Sequence, residues 1–120
     1  MANEIYASIS FTANKNGAKQ AISSSFNLTM TGDDMLQSTQ VIGTSSETIN
    51  LGDITGAPGG FCIKNLDSTN YVEIGGDSGL TVFKLKLLPG QFHFFQPSSA
   101  TIYAKADTAA VRVWVTATEI

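Results

Sequence analysis

Charge is scarce in this chain. Seven basic and ten acidic residues make up 14% of its 120 residues, against about a quarter in ordinary soluble domains. The basic residues do not cluster. Lys15 and Lys19 lie near one another, as do Lys84 and Lys86, but neither pair makes a patch, and the formal net charge is −3. Binding to a phosphate backbone draws on concentrated positive charge, so nucleic acid is excluded as an expected partner. Cys62 is the single cysteine and His93 the single histidine. No internal disulfide can form, and one of each does not supply the three or four ligands a zinc site needs. Cys62 lies inside an apolar run and reads as a small buried hydrophobe. No apolar run is long enough to span a bilayer, so no membrane partner is expected. Met1-Ala2-Asn3-Glu4 lacks the basic start of a signal peptide, which points to synthesis in a cytoplasm. Helical periodicity is also missing: no apolar 3.6-residue repeat is sustained for even ten residues.

The chain has short alternating segments instead. Ile5, Ala7, Ile9 and Phe11 alternate with Tyr6, Ser8, Ser10 and Thr12, the pattern of a strand with one buried face. Asn14-Lys15-Asn16-Gly17 is a turn, and Ile22, Ser24, Phe26, Leu28 and Met30 line one face of a second strand pairing antiparallel with the first. Met35 to Ile42 and Thr48 to Leu51 follow. Gly56-Ala57-Pro58-Gly59-Gly60 reads as a flexible loop. Phe61 to Lys64 and Tyr71 to Ile74 then read as two strands, with the polar Asn65–Asn70 turn joining them as a hairpin. Leu80 to Leu88 forms a strand with Phe83, Leu85 and Leu87 on one face. In Phe92 to Phe95 both faces are apolar, so this strand is either central between layers or touches another subunit. Val111, Val113, Val115 and Ala117 give the last strand a clean inner face, with Arg112, Trp114 and Thr116 outside. Many short strands, punctuated by Gly, Pro, Asn and Asp, indicate an all-β, single-domain antiparallel β-sandwich over residues 1–120, the jelly roll being one such form.

No constellation of catalytic residues emerges. Gly76-Asp77-Ser78-Gly79 matches the tetrapeptide around the nucleophilic serine of trypsin-like proteases. Here, however, the only histidine follows the serine, and the chain is half the length that fold needs, so a glycine-rich turn is the simpler reading. Asp33, Asp34, Asp53, Asp67 and Asp77 lie in expected loops without the spacing of a calcium site. Gly56–Gly60 contains no lysine and precedes a strand, so it is no phosphate loop. The expectation is a protein that is not an enzyme and holds no metal or cofactor.

Several stretches together carry a resemblance. Met1-Ala2-Asn3-Glu4-Ile5, Val41-Ile42-Gly43-Thr44, Leu51-Gly52-Asp53-Ile54-Thr55, Leu87-Leu88-Pro89-Gly90 and Tyr103 to Val111 contribute, and the run Asn65-Leu66-Asp67-Ser68-Thr69-Asn70-Tyr71-Val72-Glu73-Ile74-Gly75 is the most specific. In this order, over nearly the whole chain, they resemble a family of small virion proteins of tailed bacteriophages. The resemblance implies a structural virion component made in the host bacterial cytoplasm. Its foremost form is a capsid decoration or cement protein that assembles as a homo-oligomer, a trimer before other states, and braces subunits of the major capsid protein. A tail or neck accessory protein is the nearby variant. The interface candidates are Phe92, His93, Phe95 and Trp114, with Asp67, Asn70 and Tyr71 of the central turn. The alternative from another class is a carbohydrate-binding β-sandwich module, with Tyr71, Tyr103 or Trp114 stacking on sugar rings.

Overall fold

A computed structural model describes residues 4–30 and 32–119, and these form two compact units. All regular structure in both is β-strand.

The first unit is one hairpin, or arm. β1 (Ile5–Lys15) pairs antiparallel with β2 (Ala18–Leu28) in unbroken register from Ile5 opposite Leu28 to Lys15 opposite Ala18. Asn16 and Gly17 make the turn, both at positive φ (52° and 84°). That pair of dihedrals matches the twist of the flanking strands, and Asn-Gly tolerates it better than other dipeptides. The register sorts the side chains by polarity. Ile5 meets Leu28, Ala7 meets Phe26, Ile9 meets Ser24 and Phe11 meets Ile22 on one face, while Tyr6, Ser8, Ser10 and Thr12 meet Asn27, Ser25, Ser23 and Ala21 on the other.

The second unit is an antiparallel β-sandwich. One sheet contains β3 (Met35–Ile42), β10 (Val111–Glu119), β5 (Pro58–Asn65) and β8 (Phe92–Phe95), in that order. The other contains β4 (Glu47–Thr48), β9 (Tyr103–Ala106), β6 (Val72–Gly75) and β7 (Lys84–Leu87). Only the β6–β7 connection stays within a sheet; every other one crosses between the two. Between the sheets, alternate residues of each strand form one core: Ile42, Phe61, Ile63, Val111, Val113 and Val115 from the first, and Val72, Ile74, Leu87, Ala104 and Ala106 from the second. Ile49, Leu51 and Ile102 close it from the connections. Burial of these side chains, at about 1.5–3 kcal/mol for each large one, is the main stabilising contribution to this unit.

The structure corrects two expectations and removes one of the two alternatives in a third. Residues 60–75 are not a hairpin: β5 and β6 lie in different sheets, and the polar turn between them carries the chain across the sandwich. The cause is Asn65, which continues the inward phase of Phe61 and Ile63 and is fully buried. Its Nδ2 donates to the carbonyls of Asn70 (2.9 Å) and Leu87 (3.0 Å), while its Oδ1 accepts from the Asp67 N–H (2.8 Å). A satisfied buried amide that grips both sides of the bend fixes a crossover where a hairpin turn would need none. Phe92–Phe95 is not central but the last strand of its sheet, paired only with β5 among the described residues. Cys62 lies on the outer face and is half-buried, because Phe61 and Ile63 take the inward phase.

Candidate binding face

The two outer faces of the sandwich differ in chemistry. On the β4–β9–β6–β7 sheet, Glu73 stands in register between Lys86 and Lys105. Lys84 Nζ approaches Glu73 Oε2 at 3.3 Å, and Lys86 Nζ lies 4.3 Å from the centre of the Tyr71 ring. Exposed pairs of this kind contribute little to stability but keep a surface wet.

On the β3–β10–β5–β8 sheet the outward positions are Met35, Gln37, Thr39 and Val41 of β3; Arg112, Trp114 and Thr116 of β10; Cys62 and Lys64 of β5; and Phe92 and Phe94 of β8. Met35 is 68% exposed, Phe92 63%, Val41 51% and Trp114 40%. Large apolar side chains at such exposure, with only Lys64 and Arg112 for charge among the outward positions, make this the more apolar of the two faces and the candidate binding surface. A shallow groove of about 380 Å³ runs across it, lined by Gln37, Cys62, Ile63, Lys64, Phe92, Trp114 and Thr116. Register puts Lys64 directly between Trp114 and Phe92. The groove is apolar in its walls, with the Gln37 amide and the Lys64 ammonium able to offer donors. Burial pushes the Cys62 thiol above its ordinary pKa, so it stays protonated and unreactive at neutral pH.

Phe92 and Trp114 therefore come together here, brought from β8 and β10 by their shared neighbour β5. His93 and Phe95 take the opposite side of β8. Phe95 packs against Phe61 with ring centroids 5.0 Å apart and against Phe83 at 5.9 Å, so it closes the margin of the core.

Asp67, Asn70 and Tyr71 belong to the crossover. Asp67 Oδ2 accepts from the backbone N–H groups of Asn70 (2.6 Å) and Thr69 (2.9 Å), which hold its carboxyl below the usual aspartate range. Asn70 Oδ1 accepts from the Thr108 hydroxyl at 2.8 Å. The negative charge of Asp107 raises the pKa of the Tyr71 hydroxyl. These contacts tie the crossover to itself and, through Thr108, to the loop after β9.

The Gly76–Gly79 segment is also a turn. Asp77 Oδ1 accepts from the N–H groups of Thr81 (2.6 Å) and Val82 (3.0 Å), and Oδ2 accepts from the Thr81 hydroxyl (2.7 Å). Its carboxyl is held low by these bonds, that from Val82 first, and is committed to shaping the loop. Among the described residues, no three of His, Cys, Asp and Glu converge as metal ligands would.

Gln37, Cys62 and Thr116 line the groove although none of them was an interface candidate from the sequence. Their signal was present as phase: each lies an even number of positions from an outward Thr39, Lys64 or Trp114. What phase could not supply was which strands are neighbours. Comparison of the chain with protein-family models, curated proteins and solved structures finds no match to any of them.

Proposed function

We propose that this chain is a non-enzymatic structural component of a tailed-phage virion, a capsid decoration protein that covers its apolar sheet face with shell subunits. The observation that carries the reading is the contrast between the outer faces: one charged and solvated, the other presenting Met35, Val41, Phe92 and Trp114. The sequence resemblance supplies the virion. The strand order, with six crossings and a single in-sheet hairpin, supports a jelly-roll reading of the sandwich.

Aromatic anchors at the centre of such a face each contribute about 2 kcal/mol or more to a protein interface. Trp114→Ala, with its fold verified, should weaken binding to undecorated shells by roughly thirtyfold or more. Wild-type protein that ignores such shells, or is found in particles only at tail-level copy number, overturns the decoration role. The groove favours one second reading, a carbohydrate site with Trp114 and Phe92 as stacking surfaces and Gln37 and Lys64 as donors. Chemical-shift changes confined to these residues on titration with oligosaccharides would establish it, and none up to millimolar sugar would remove it.

A further inference from the structure

The hairpin of residues 5–28 is the part of the molecule least explained by its own surroundings. Its polarity is sorted as in a sheet that packs on something, yet Ile9 is 49% exposed, Phe11 56% and Ile22 67%. Between Glu4 and Lys15, and again between Lys19 and Asp33, no residue carries a charge. The ordinary devices that protect an edge strand, namely a charged side chain, a proline or a bulge, are missing from these strands except at the turn, where Lys15 ends β1 and Lys19 lies near the start of β2. An isolated two-stranded hairpin is at best marginally stable in water. These observations together describe half of an interface.

We propose that this arm is a self-association element: the hairpins of three copies of the chain close edge to edge into a six-stranded antiparallel barrel with their apolar faces inside. The occupant is a second copy because the surface suits itself. Away from Lys15 and Lys19 at the turn it carries no charge, so repulsion between copies is confined to that end, and its two strands are of equal length. When copies are related by rotation about an axis along the arm, β2 of one runs antiparallel to β1 of the next, which continues the pairing within each hairpin. Two arms pressed face to face would not suffice. Eleven residues span about 37 Å, so a two-stranded face offers roughly 370 Å² and a facing pair roughly 740 Å² in all. Stable interfaces need at least about 1,200 Å², and such a pair leaves all four edges open. A closed ring removes every edge.

Three copies fit the side chains. A barrel of about eight strands has an interior that ordinary side chains just fill, so six strands need smaller rows. Three of the inward rows pair large with small, Ala7 with Phe26, Ile9 with Ser24 and Ala13 with Gln20; Phe11 with Ile22 and, at the base, Ile5 with Leu28 put two large residues together, and Lys15 with Ala18 ends the face at the turn. The outward rows are Tyr6 with Asn27, Ser8 with Ser25, Ser10 with Ser23 and Thr12 with Ala21.

The inference goes beyond the function proposed above and does not depend on the virion. Light scattering of the purified full-length chain is expected to give three times the 12.7 kDa chain mass. Phe11→Lys combined with Ile22→Lys should reduce it to that of one chain, and the milder Phe11→Ser with Ile22→Ser should move it the same way. Ser10→Lys with Ser23→Lys, on the outward face, should leave the trimer intact. Hydrogen exchange is the second measurement: β1 and β2 amides should be protected in the wild type and lose about a hundredfold protection in the charged variant, while residues 35–119 keep theirs. A wild-type mass of one, two or four chains overturns the closed ring. A trimer that survives both inward variants overturns the arm as its seat. Wild-type protein that is monomeric until shell protein is added assigns the arm to that partner instead. A trimer that binds no shells leaves the arm's role intact and removes the decoration role, so the two failures are distinguishable.

Discussion

β1 and β10 carry nearly the same pattern, apolar residues at alternate positions with hydroxylated or polar ones between them. In β10 the apolar positions Val111, Val113, Val115 and Ala117 are at most 1% exposed; in β1 Ile9 and Phe11 are about half exposed. The difference lies in what each strand finds opposite. β10 has a strand on both sides and a second sheet beneath it, whereas β1 has one neighbour and no layer of its own unit to face. Alternation thus specifies that a face is to be covered and leaves open which chain covers it. The two outer faces of the sandwich repeat the point at lower contrast.

Three substitutions or conditions sharpen this comparison. The largest effect is expected from matched phenylalanines. Phe61→Ala opens a cavity in the fully enclosed core and should lower the unfolding free energy of the sandwich by about 3–5 kcal/mol, read by urea denaturation. Phe11→Ala in the arm should leave that same transition within about 0.5 kcal/mol, and a large shift would show the arm to be part of the sandwich's cooperative unit. Next is Asn65→Ala, which strips partners from two carbonyls and an N–H at the crossover. It should cost about 2–4 kcal/mol, with the loss of exchange protection beginning around Asn70 and Leu87. The smallest effect concerns acid. Asp67, Asp77 and Glu119 are all held below their ordinary pKa by hydrogen bonds, Glu119 chiefly by the Thr55 N–H. Each then contributes stability that is complete above the unfolded carboxylate range near pH 4 and is lost as pH falls through the lower folded values. The sandwich should therefore weaken on acidification below about pH 4. Asp77→Asn should flatten that slope, and an unchanged slope would show the Asp77 bonds to be energetically idle. The arm, whose described carboxylate is Glu4 alone, bonded to the Met30 N–H at 3.0 Å, should respond far less.

Much of this fold is legible in the sequence, and what is not has a common cause. The β3 bounds, the inner face of β10 and the Asn16-Gly17 turn follow from phase and turn chemistry, both of which are local. The crossover after Asn65 does not, because Asx and hydroxyl residues serve hairpins and crossovers alike. Its one sequence clue was an asparagine in phase with Phe61 and Ile63. Nor is the need for Gly75 visible locally: it ends β6 where a Cβ would lie 2.6 Å from both the Phe83 carbonyl oxygen and Leu80 Cδ2. That crowding comes from the following loop, in which Leu80 itself sits at φ 55°. The binding face was half legible: Phe92 and Trp114 were visible as exposed aromatics, while their meeting across Lys64 required the strand order.

The register of the arm also sets a timetable. Its most distant pair, Ile5 with Leu28, is separated by 23 positions, whereas Met35 with Thr118 in the sandwich is separated by 83. Local hairpins form in about 1–10 μs, and long-range β pairing is far slower. On a ribosome adding about 5–20 residues per second, the last strand of the sandwich follows the completed arm by roughly 5–18 s. Throughout that interval the arm has its full sequence but only marginal stability of its own, so a pairing with the arm of a neighbouring chain on one message would have time to form before either chain has a sandwich.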